Sequence, residues 1–300
     1  MEHTLGIIGF GEVGGIFGRG LLGKPGVNGV VAWDSRFADP ATGAAARRAA
    51  EDVGIRAADS LQSLCAQSTL VISAVTASNT LGVAEEVAPY VQAGTLFLDL
   101  NSASPGTKQL AAAAVQAHGG HYIEAGVMTS VPPYGIRVPM LLGGARAADL
   151  TRQLVDWGMD AKTVSEKLGV ASAIKMSRSI MIKGLEALVI ESYTNARAYR
   201  VEDFVLPTLQ ETFPQIDWSR QGAYFFSRVV QHGKRRAEEM FEAANTVKEA
   251  GIPPLMGTAI AQKQDWVAQL AREGVFEGID SQAPWQDYAD RLIARFGNKG

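Results

Sequence analysis

The sequence predicts an α/β protein, a doubly wound sheet followed by an all-α domain. Three observations carry that reading. Short apolar runs alternate with helical patterns through the first half, a glycine-rich turn joins the first strand to the first helix, and beyond Gly169 apolar residues recur almost only at helical spacing. We place the domains at 1–165 and 166–300. No internal repeat or low-complexity linker interrupts them.

The first strand is Leu5–Ile8, and Gly9-Phe10-Gly11-Glu12-Val13-Gly14 follows at once as G-x-G-x-x-G. Val13, Ile16, Phe17, Leu21 and Leu22 then mark a helix, and Val30–Trp33 a second strand ending in Asp34. Each part has a physical task. Gly9 permits the tight turn, Gly11 lets a pyrophosphate approach the backbone, and Gly14 lets helix and strand pack closely. The free N–H groups and positive end of the helix face the phosphates. Asp34, about 20 residues past the loop, can accept hydrogen bonds from an adenosine ribose, with Ser35 and Arg36 beside it. A lone G-x-G-x-x-G is a weak signal, but strand, helix and acid at this spacing make a Rossmann dinucleotide site.

The alternation then continues. Ala41–Val53 is an Ala-rich helix, Ser60 caps a short helix, and Leu70–Val75 is a buried parallel strand. Leu81–Val91 is helical, Leu96–Leu100 a strand, and Ser104-Pro105 opens a helix running to Ala117 with proline in its first turn. Tyr122–Ala125 and Pro139–Gly144 read as two further strands, and Leu150–Trp157 as a helix. In the second half the helices expected are Val170–Tyr199, Leu206–Thr212, Ser219–Ala250, Pro254–Leu270 and Trp285–Phe296, with Gly251-Ile252-Pro253-Pro254 as a stop.

Ligands of an open α/β sheet sit beyond the carboxyl ends of its strands. Three more turns lie there, each rich in hydroxyl and amide groups: Val75-Thr76-Ala77-Ser78-Asn79, Asn101-Ser102-Ala103-Ser104 and Gly126-Val127-Met128-Thr129-Ser130. Val75, Thr76, Asn79 and Asn101 join the glycine loop as expected cofactor contacts, and Ser102 and Thr129 as substrate contacts. On the long helix, Lys175, Glu186 and Tyr193 fall on nearly one line, flanked by Ser179 and Lys183 on one side and Arg178 on the other. A polar stripe inside an apolar helix is costly to bury without partners. The helix starts where the first domain ends, so its first turns are expected to face the cleft.

Composition excludes other classes. Net charge is −3 with no basic block, so nucleic acid is not a partner. A single cysteine, Cys65, rules out an internal disulfide and a Cys-rich metal site, and it reads as a small buried residue. Four histidines, His3, His118, His121 and His232, show no metal spacing and no nucleophile beside them, so neither a metal site nor hydrolase chemistry is expected. No run approaches 18 apolar residues, and Met1–Thr4 leads straight into the first strand, so a cytoplasmic protein away from the membrane is expected.

Beyond these readings, the sequence resembles the β-hydroxyacid dehydrogenase superfamily, which includes 6-phosphogluconate and 3-hydroxyisobutyrate dehydrogenases. Gly9–Gly14 resembles its cofactor motif, and Asp99–Pro105 its D-x-S-T-x-S-P turn. Glu124–Val127 through Gly143-Gly144 resembles its substrate strand and loop, and Gly169–Lys175 its G-x-G-x-x-x-K segment with a catalytic lysine. The resemblance therefore implies that Lys175 is catalytic. The departures are as informative. Arg178 and Ser179 stand where asparagine is usual, Ala171 replaces a glycine, Ile182 replaces an acid of phosphogluconate enzymes, and the Thr129–Gly135 loop lacks the usual S-G-G. The K-D motif falls near Glu238-Glu239, with Arg235 and Arg236 upstream. 6-Phosphogluconate itself is thus not the expected substrate, and the chain is most similar to a phosphogluconate-dehydrogenase-like subgroup whose C-terminal domain has no assigned function.

The function expected is an NAD(P)-dependent oxidoreductase acting on a hydroxy acid or a bulky, aromatic alcohol. Lys175 is the general base, Arg178 or Lys183 pairs an anion, and Ser102, Thr129 and Ser179 complete the site. Asp34 favours NAD over NADP, because a carboxylate repels a 2′-phosphate, while Arg36 works against that preference. The alternative is a redox-neutral lyase that oxidises a hydroxyl, cleaves the adjacent C–C bond and returns the hydride. Tyr193, Phe204, Trp218, Tyr224, Phe225 and Phe226 would suit its aromatic substrate, although core packing explains such residues more simply. A non-catalytic nucleotide sensor would have no use for the lysine. The apolar helical half, with Ile180, Leu185, Leu188, Val189, Val229 and Val230, is expected to form a homodimer.

Overall fold

A computed structural model describes residues 2–297. The chain divides into two compact units, Met1–Met176 and Ser177–Gly300.

The first unit holds β1 (His3–Ile8), α1 (Glu12–Leu21), β2 (Val27–Trp33), α2 (Gly43–Glu51), β3 (Arg56–Ala57), α3 (Leu61–Cys65), β4 (Leu70–Ser73), α4 (Thr80–Val87), β5 (Leu96–Asp99), α5 (Pro105–Ala117), β6 (His121–Val127), β7 (Met140–Gly143), α6 (Ala147–Asp156) and β8 (Ala161–Ser165). The eight strands form one sheet in the order β3-β2-β1-β4-β5-β6-β7-β8. The pairs from β3 to β6 are all parallel. β7 returns antiparallel to β6, because no crossover helix separates them, and β8 lies parallel to β7. This is the doubly wound sheet expected from the alternating sequence.

Both faces of the sheet are covered. Leu5, Ile7, Leu70, Ile72 and Leu98 point into one core with Phe17 of α1 and Trp157 beyond α6. Ile8, Val71, Phe97 and Tyr122, one residue out of phase, point into the other core with Leu61 and Leu64 of α3 and Val115 of α5. Alternate residues of a strand face opposite sides, so continuous apolar runs such as Leu70–Ile72 fit only a sheet buried on both.

α7 (Val170–Tyr199) begins in the first unit and runs on into the second. There follow α8 (Glu202–Thr212), α9 (Trp218–Glu249), α10 (Leu255–Arg272) and α11 (Trp285–Phe296). The second unit is all-helical around Ile190, Tyr193, Phe226, Val229, Val267, Trp285 and Leu292.

Three elements differ from the expectation. β3 and β8 were not expected; β3 has two residues, and β8, with sequence AKTVS, carries no fully buried side chain. α8 includes Glu202–Val205 ahead of Leu206, and Glu202 and Asp203 lie in its first turn, where acids complement the helix dipole. Pro207 lies inside the helix rather than ahead of it.

Candidate cofactor and catalytic site

Register aligns the strand ends that build the site. Ile8 pairs with Trp33 and Ser73, and Ser73 with Asp99, so the carboxyl ends of β2, β1, β4 and β5 are level, while β6 pairs Glu124 with Asp99 and runs on past them to Val127. The glycine loop, Asp34, the Ala74–Thr76 turn, the Leu100–Ser102 turn and the end of β6 therefore share one edge, and the chain reverses its strand order between β1 and β4.

Within the loop, the three glycines have separable causes. Gly9 has φ +88°, and a Cβ there would meet the Ala74 carbonyl oxygen at 2.6 Å. A Cβ on Gly14 would meet the Gly9 carbonyl oxygen at 1.9 Å, so only glycine lets α1 sit against the turn. Gly11 is different: it is extended (φ −83°), and a Cβ would meet no atom within 4 Å. The protein's own packing requires Gly9 and Gly14 but not Gly11, which leaves room for an external group. Gly11 also caps α1 with no side-chain hydrogen bond, so the N–H groups of Glu12, Val13 and their turn keep their donor capacity. A cavity of about 450 Å³ opens beside this turn, with Phe10, Gly11, Glu12, Arg19 and Arg36 in its wall. These features fit the pyrophosphate and adenosine half of a dinucleotide.

Asp34 is engaged more fully than the sequence indicates. Its Oδ1 accepts from the Arg36 backbone N–H at 2.9 Å and Arg36 Nε at 2.8 Å. Its Oδ2 accepts from the Phe10 N–H at 2.8 Å and Arg36 Nη2 at 3.0 Å. Arg36 Nη2 also donates to the Phe10 carbonyl at 2.8 Å, so the pair clamps the glycine loop to the tip of β2. Burial alone would raise the Asp34 carboxyl, but the Arg36 hydrogen bonds and charge, with the Phe10 N–H, hold it below the usual 3.8. Ser35 is exposed beside the pair.

The turns after β4 and β5 are tied together. The Asn101 side chain accepts from the Val75 N–H at 2.7 Å and donates to Ser73 Oγ at 3.0 Å. Asn79 Nδ2 donates to Thr76 Oγ1 at 2.9 Å within the neighbouring turn. Beneath them Asp99 is 1% exposed. It accepts from the Asn101 N–H at 2.8 Å, is paired with Lys108 Nζ at 2.9 Å, and takes a very short hydrogen bond from the Tyr122 hydroxyl. Burial, and then the Asp99 charge, push the Tyr122 phenol well above 10, so it remains a donor. On this platform Ser102 meets α7: Lys175 Nζ donates to Ser102 Oγ at 2.5 Å. Both groups are partly exposed. The start of α7 is gripped from β6 by Glu124, a fully buried carboxylate assigned no role in the sequence reading beyond its place on the strand.

The remaining expected residues lie elsewhere or do other work. Thr129 is exposed on the loop after β6. Arg178 is exposed on α7. Ser179 and Lys183 are buried in the second unit, where Lys183 Nζ pairs with Glu239 at 2.7 Å and lies 3.4 Å from Ser179 Oγ. Glu186 accepts from Arg236 Nε at 2.9 Å and from Gln264 Nε2 at 3.0 Å. The polar stripe of α7 therefore finds internal partners in α9 and α10, as its burial cost requires. The Tyr193 hydroxyl donates to the Trp218 carbonyl, and Tyr193, Trp218, Phe225 and Phe226 are core, while Phe204 and Tyr224 are exposed. Cys65 is buried, and desolvation raises its thiol to about 12.

Residues 4–148 match the NAD binding domain of 6-phosphogluconate dehydrogenase, and residues 196–267 match a domain of unknown function, DUF1932. A conserved hypothetical protein from Sinorhizobium meliloti 1021 shares 36% identity over 99% of this chain and 97% of its own, with a TM-score of 0.77. The chain belongs to the 6-phosphogluconate dehydrogenase-like family that carries the DUF1932 domain. Another relative, an uncharacterised 28.5 kDa protein from Methanothermus fervidus, is 27% identical over 84% of this chain and 94% of its own length. Mycobacterium tuberculosis 3-hydroxyisobutyrate dehydrogenase, solved with L-serine, covers 99% of this chain and 100% of its own at 16% identity and a TM-score of 0.71, a likeness of fold.

In this family member, sequence reasoning placed Glu124 and Tyr122 on a strand without giving either a role of its own, and missed Lys108. Each is a polar group in an apolar context, and a charged residue inside a run such as Tyr122-Ile123-Glu124-Ala125 is the signal that could have found the first.

Proposed function

We propose that the protein is a nicotinamide-dependent dehydrogenase of a hydroxy acid in which Lys175 carries the proton. The observation that supports this best is the 2.5 Å contact between Lys175 Nζ and Ser102 Oγ, on the strand-end edge that also bears the glycine loop. The N–H groups of the Gly11–Gly14 turn would hold the cofactor's pyrophosphate, the Asp34–Arg36 pair its adenosine ribose, and Val75, Thr76, Asn79 and Asn101 the approach to its nicotinamide. When bound, a nicotinamide accepts or returns a hydride at the substrate carbon. Lys175 Nζ, as the free amine, takes the substrate hydroxyl proton during oxidation; as ammonium, it returns a proton to the carbonyl oxygen during reduction. Ser102 Oγ fixes the amine and offers a hydroxyl to the same oxygen. Arg178 is the proposed partner of the substrate carboxylate, since Lys183 is already paired with Glu239.

NAD is the proposed cofactor, with NADP admitted to a degree set by Arg36, whose guanidinium offsets the Asp34 charge that would repel a 2′-phosphate. The lyase alternative has no feature in its favour, because most of the aromatic residues it calls on are core. A homodimer formed through the second unit completes the proposal. The test is to titrate NADH and NADPH by fluorescence and to screen hydroxy acids for reduced-nicotinamide absorbance. Gly11→Val should fold normally and lose cofactor binding. Parent-like affinity in that variant, or no turnover across the screen, sinks the reading.

A further inference from the structure

We infer that Glu124 is a positioning residue: its carboxylate fixes the first turn of α7 and thereby the place of the Lys175 amine. The inference rests on the proposed role of Lys175 for its functional meaning, but its geometry stands alone.

Glu124 lies on β6 and is 0% exposed. A buried carboxylate is tolerated only if its oxygens are satisfied. Among the described residues it is held not by a lysine or arginine ion pair but by four donors from the chain entering α7. Oε1 accepts from the Gly169 N–H at 2.8 Å and the Ala171 N–H at 3.0 Å. Oε2 accepts from the Ser172 N–H at 3.3 Å and Ser172 Oγ at 2.7 Å. These N–H groups belong to the turn whose donors have no partner inside the helix, at its positive end. Side-chain caps ordinarily come from the residue just before a helix, whereas this one comes from a strand 45 residues or more earlier.

Two further contacts show that the arrangement is built around this carboxylate. A Cβ on Gly143 of β7 would stand 2.6 Å from Glu124 Oε1, so the neighbouring strand is pared to glycine where the carboxylate lies. A Cβ on Gly126 would stand 2.9 Å from the Ala171 carbonyl and 3.4 Å from Lys175 Cβ, so β6 also touches the lysine's own backbone turn two residues after Glu124. Lys175 is one helical turn beyond Ala171 and Ser172. With that turn pinned to β6, and Ser102 pinned to β5 through Asp99 and Asn101, the Lys175–Ser102 contact joins two fixed points. Without Glu124 only one of them is fixed.

The test uses the full-length protein with its lysines reductively methylated by ¹³C-formaldehyde. The Lys175 methyl signal is assigned by its absence in Lys175→Arg. Glu124→Gln keeps the shape and removes the charge and one acceptor. We expect it to stay folded by circular dichroism, to bind NADH like the parent, and to show a displaced Lys175 signal while other lysine signals hold still. Turnover, where the screen has found a substrate, should fall on the order of a hundredfold with little change in KM, the scale of an ångström's misplacement. Glu124→Asp should fall between parent and Glu124→Gln. Ser172→Ala, which removes one donor and leaves the charge, serves if Glu124→Gln does not fold, and it too should displace the signal. A parent-like Lys175 signal in the folded variant overturns the inference. A displaced signal in a protein that turns over no hydroxy acid leaves the positioning intact and removes the dehydrogenase reading.

Discussion

At the scale of single residues, Lys175, Arg36 and Cys65 give the sharpest expectations. Lys175→Ala should keep NADH affinity, because the loop, Asp34 and Arg36 are untouched, and should lose turnover by about a hundred- to ten-thousand-fold, the usual worth of a general base. Affinity and rate are measured on one preparation; loss of both would move the lysine to a cofactor role. Arg36→Ala frees the Asp34 carboxylate from its guanidinium, so the ratio of NADP to NAD affinity should fall. An unchanged ratio would mean that neither residue reads the ribose. The Asp34 carboxyl also has a pH consequence. Its folded-state value is depressed, so what the clamp contributes is present above 3.8 and is lost as pH falls through the lower folded value. Between pH 5 and 9 cofactor affinity should therefore owe nothing to Asp34 titration. Cys65, raised to about 12 by burial, should resist iodoacetamide at pH 8 in the native protein and react once it is unfolded.

At the scale of elements, the Asp99–Lys108 pair joins β5 to α5 under the site. Both side chains are 1% exposed, and Lys108 Nζ also donates to the Asp99 carbonyl at 3.2 Å. Lys108→Met removes the cation and leaves a buried carboxylate with, among the described residues, the Tyr122 and Asn101 donors. Breaking such a pair costs about 3–5 kcal/mol. A clear fall in melting temperature is expected, and one no larger than that of a surface lysine variant would refute the network. This layer also shows what the sequence makes legible. Periodicity reads α1, β4 and α7 because each buries a continuous apolar face, and the glycine loop reads because its spacing is local. Asp99, Lys108, Tyr122 and Glu124 meet across β5, α5, β6 and α7, and nothing local in the chain encodes which polar residues will share a buried space. For the same reason Lys183 and Glu186, read as part of a polar stripe with Lys183 a candidate anion partner, proved to be held by Glu239 and Arg236 of α9. β3 is too short for any period to register, and β8 too little buried.

At the scale of the whole molecule, the open matter is what covers the apolar surface of the helical unit. The residues that first argued for a partner divide: Val189 and Val229 are core of their own chain, whereas Leu188 is 56% exposed. Met181, Phe204, Leu255 and Met256 are each more than half exposed as well. Scattered apolar residues are ordinary on a surface, so these side chains on α7, α8 and α10 motivate a test rather than decide it. A second copy of the chain is the proposed cover, since a two-fold interface buries the same patch on both partners. Sedimentation at micromolar concentration should give a mass near twice 31.9 kDa. Leu188→Glu and Phe204→Glu, exposed positions whose change costs the monomer little, should shift it towards 31.9 kDa and make the melting temperature less dependent on concentration. A parent that sediments as a monomer would leave these side chains to solvent or to an unrelated partner, and the dimer would be withdrawn.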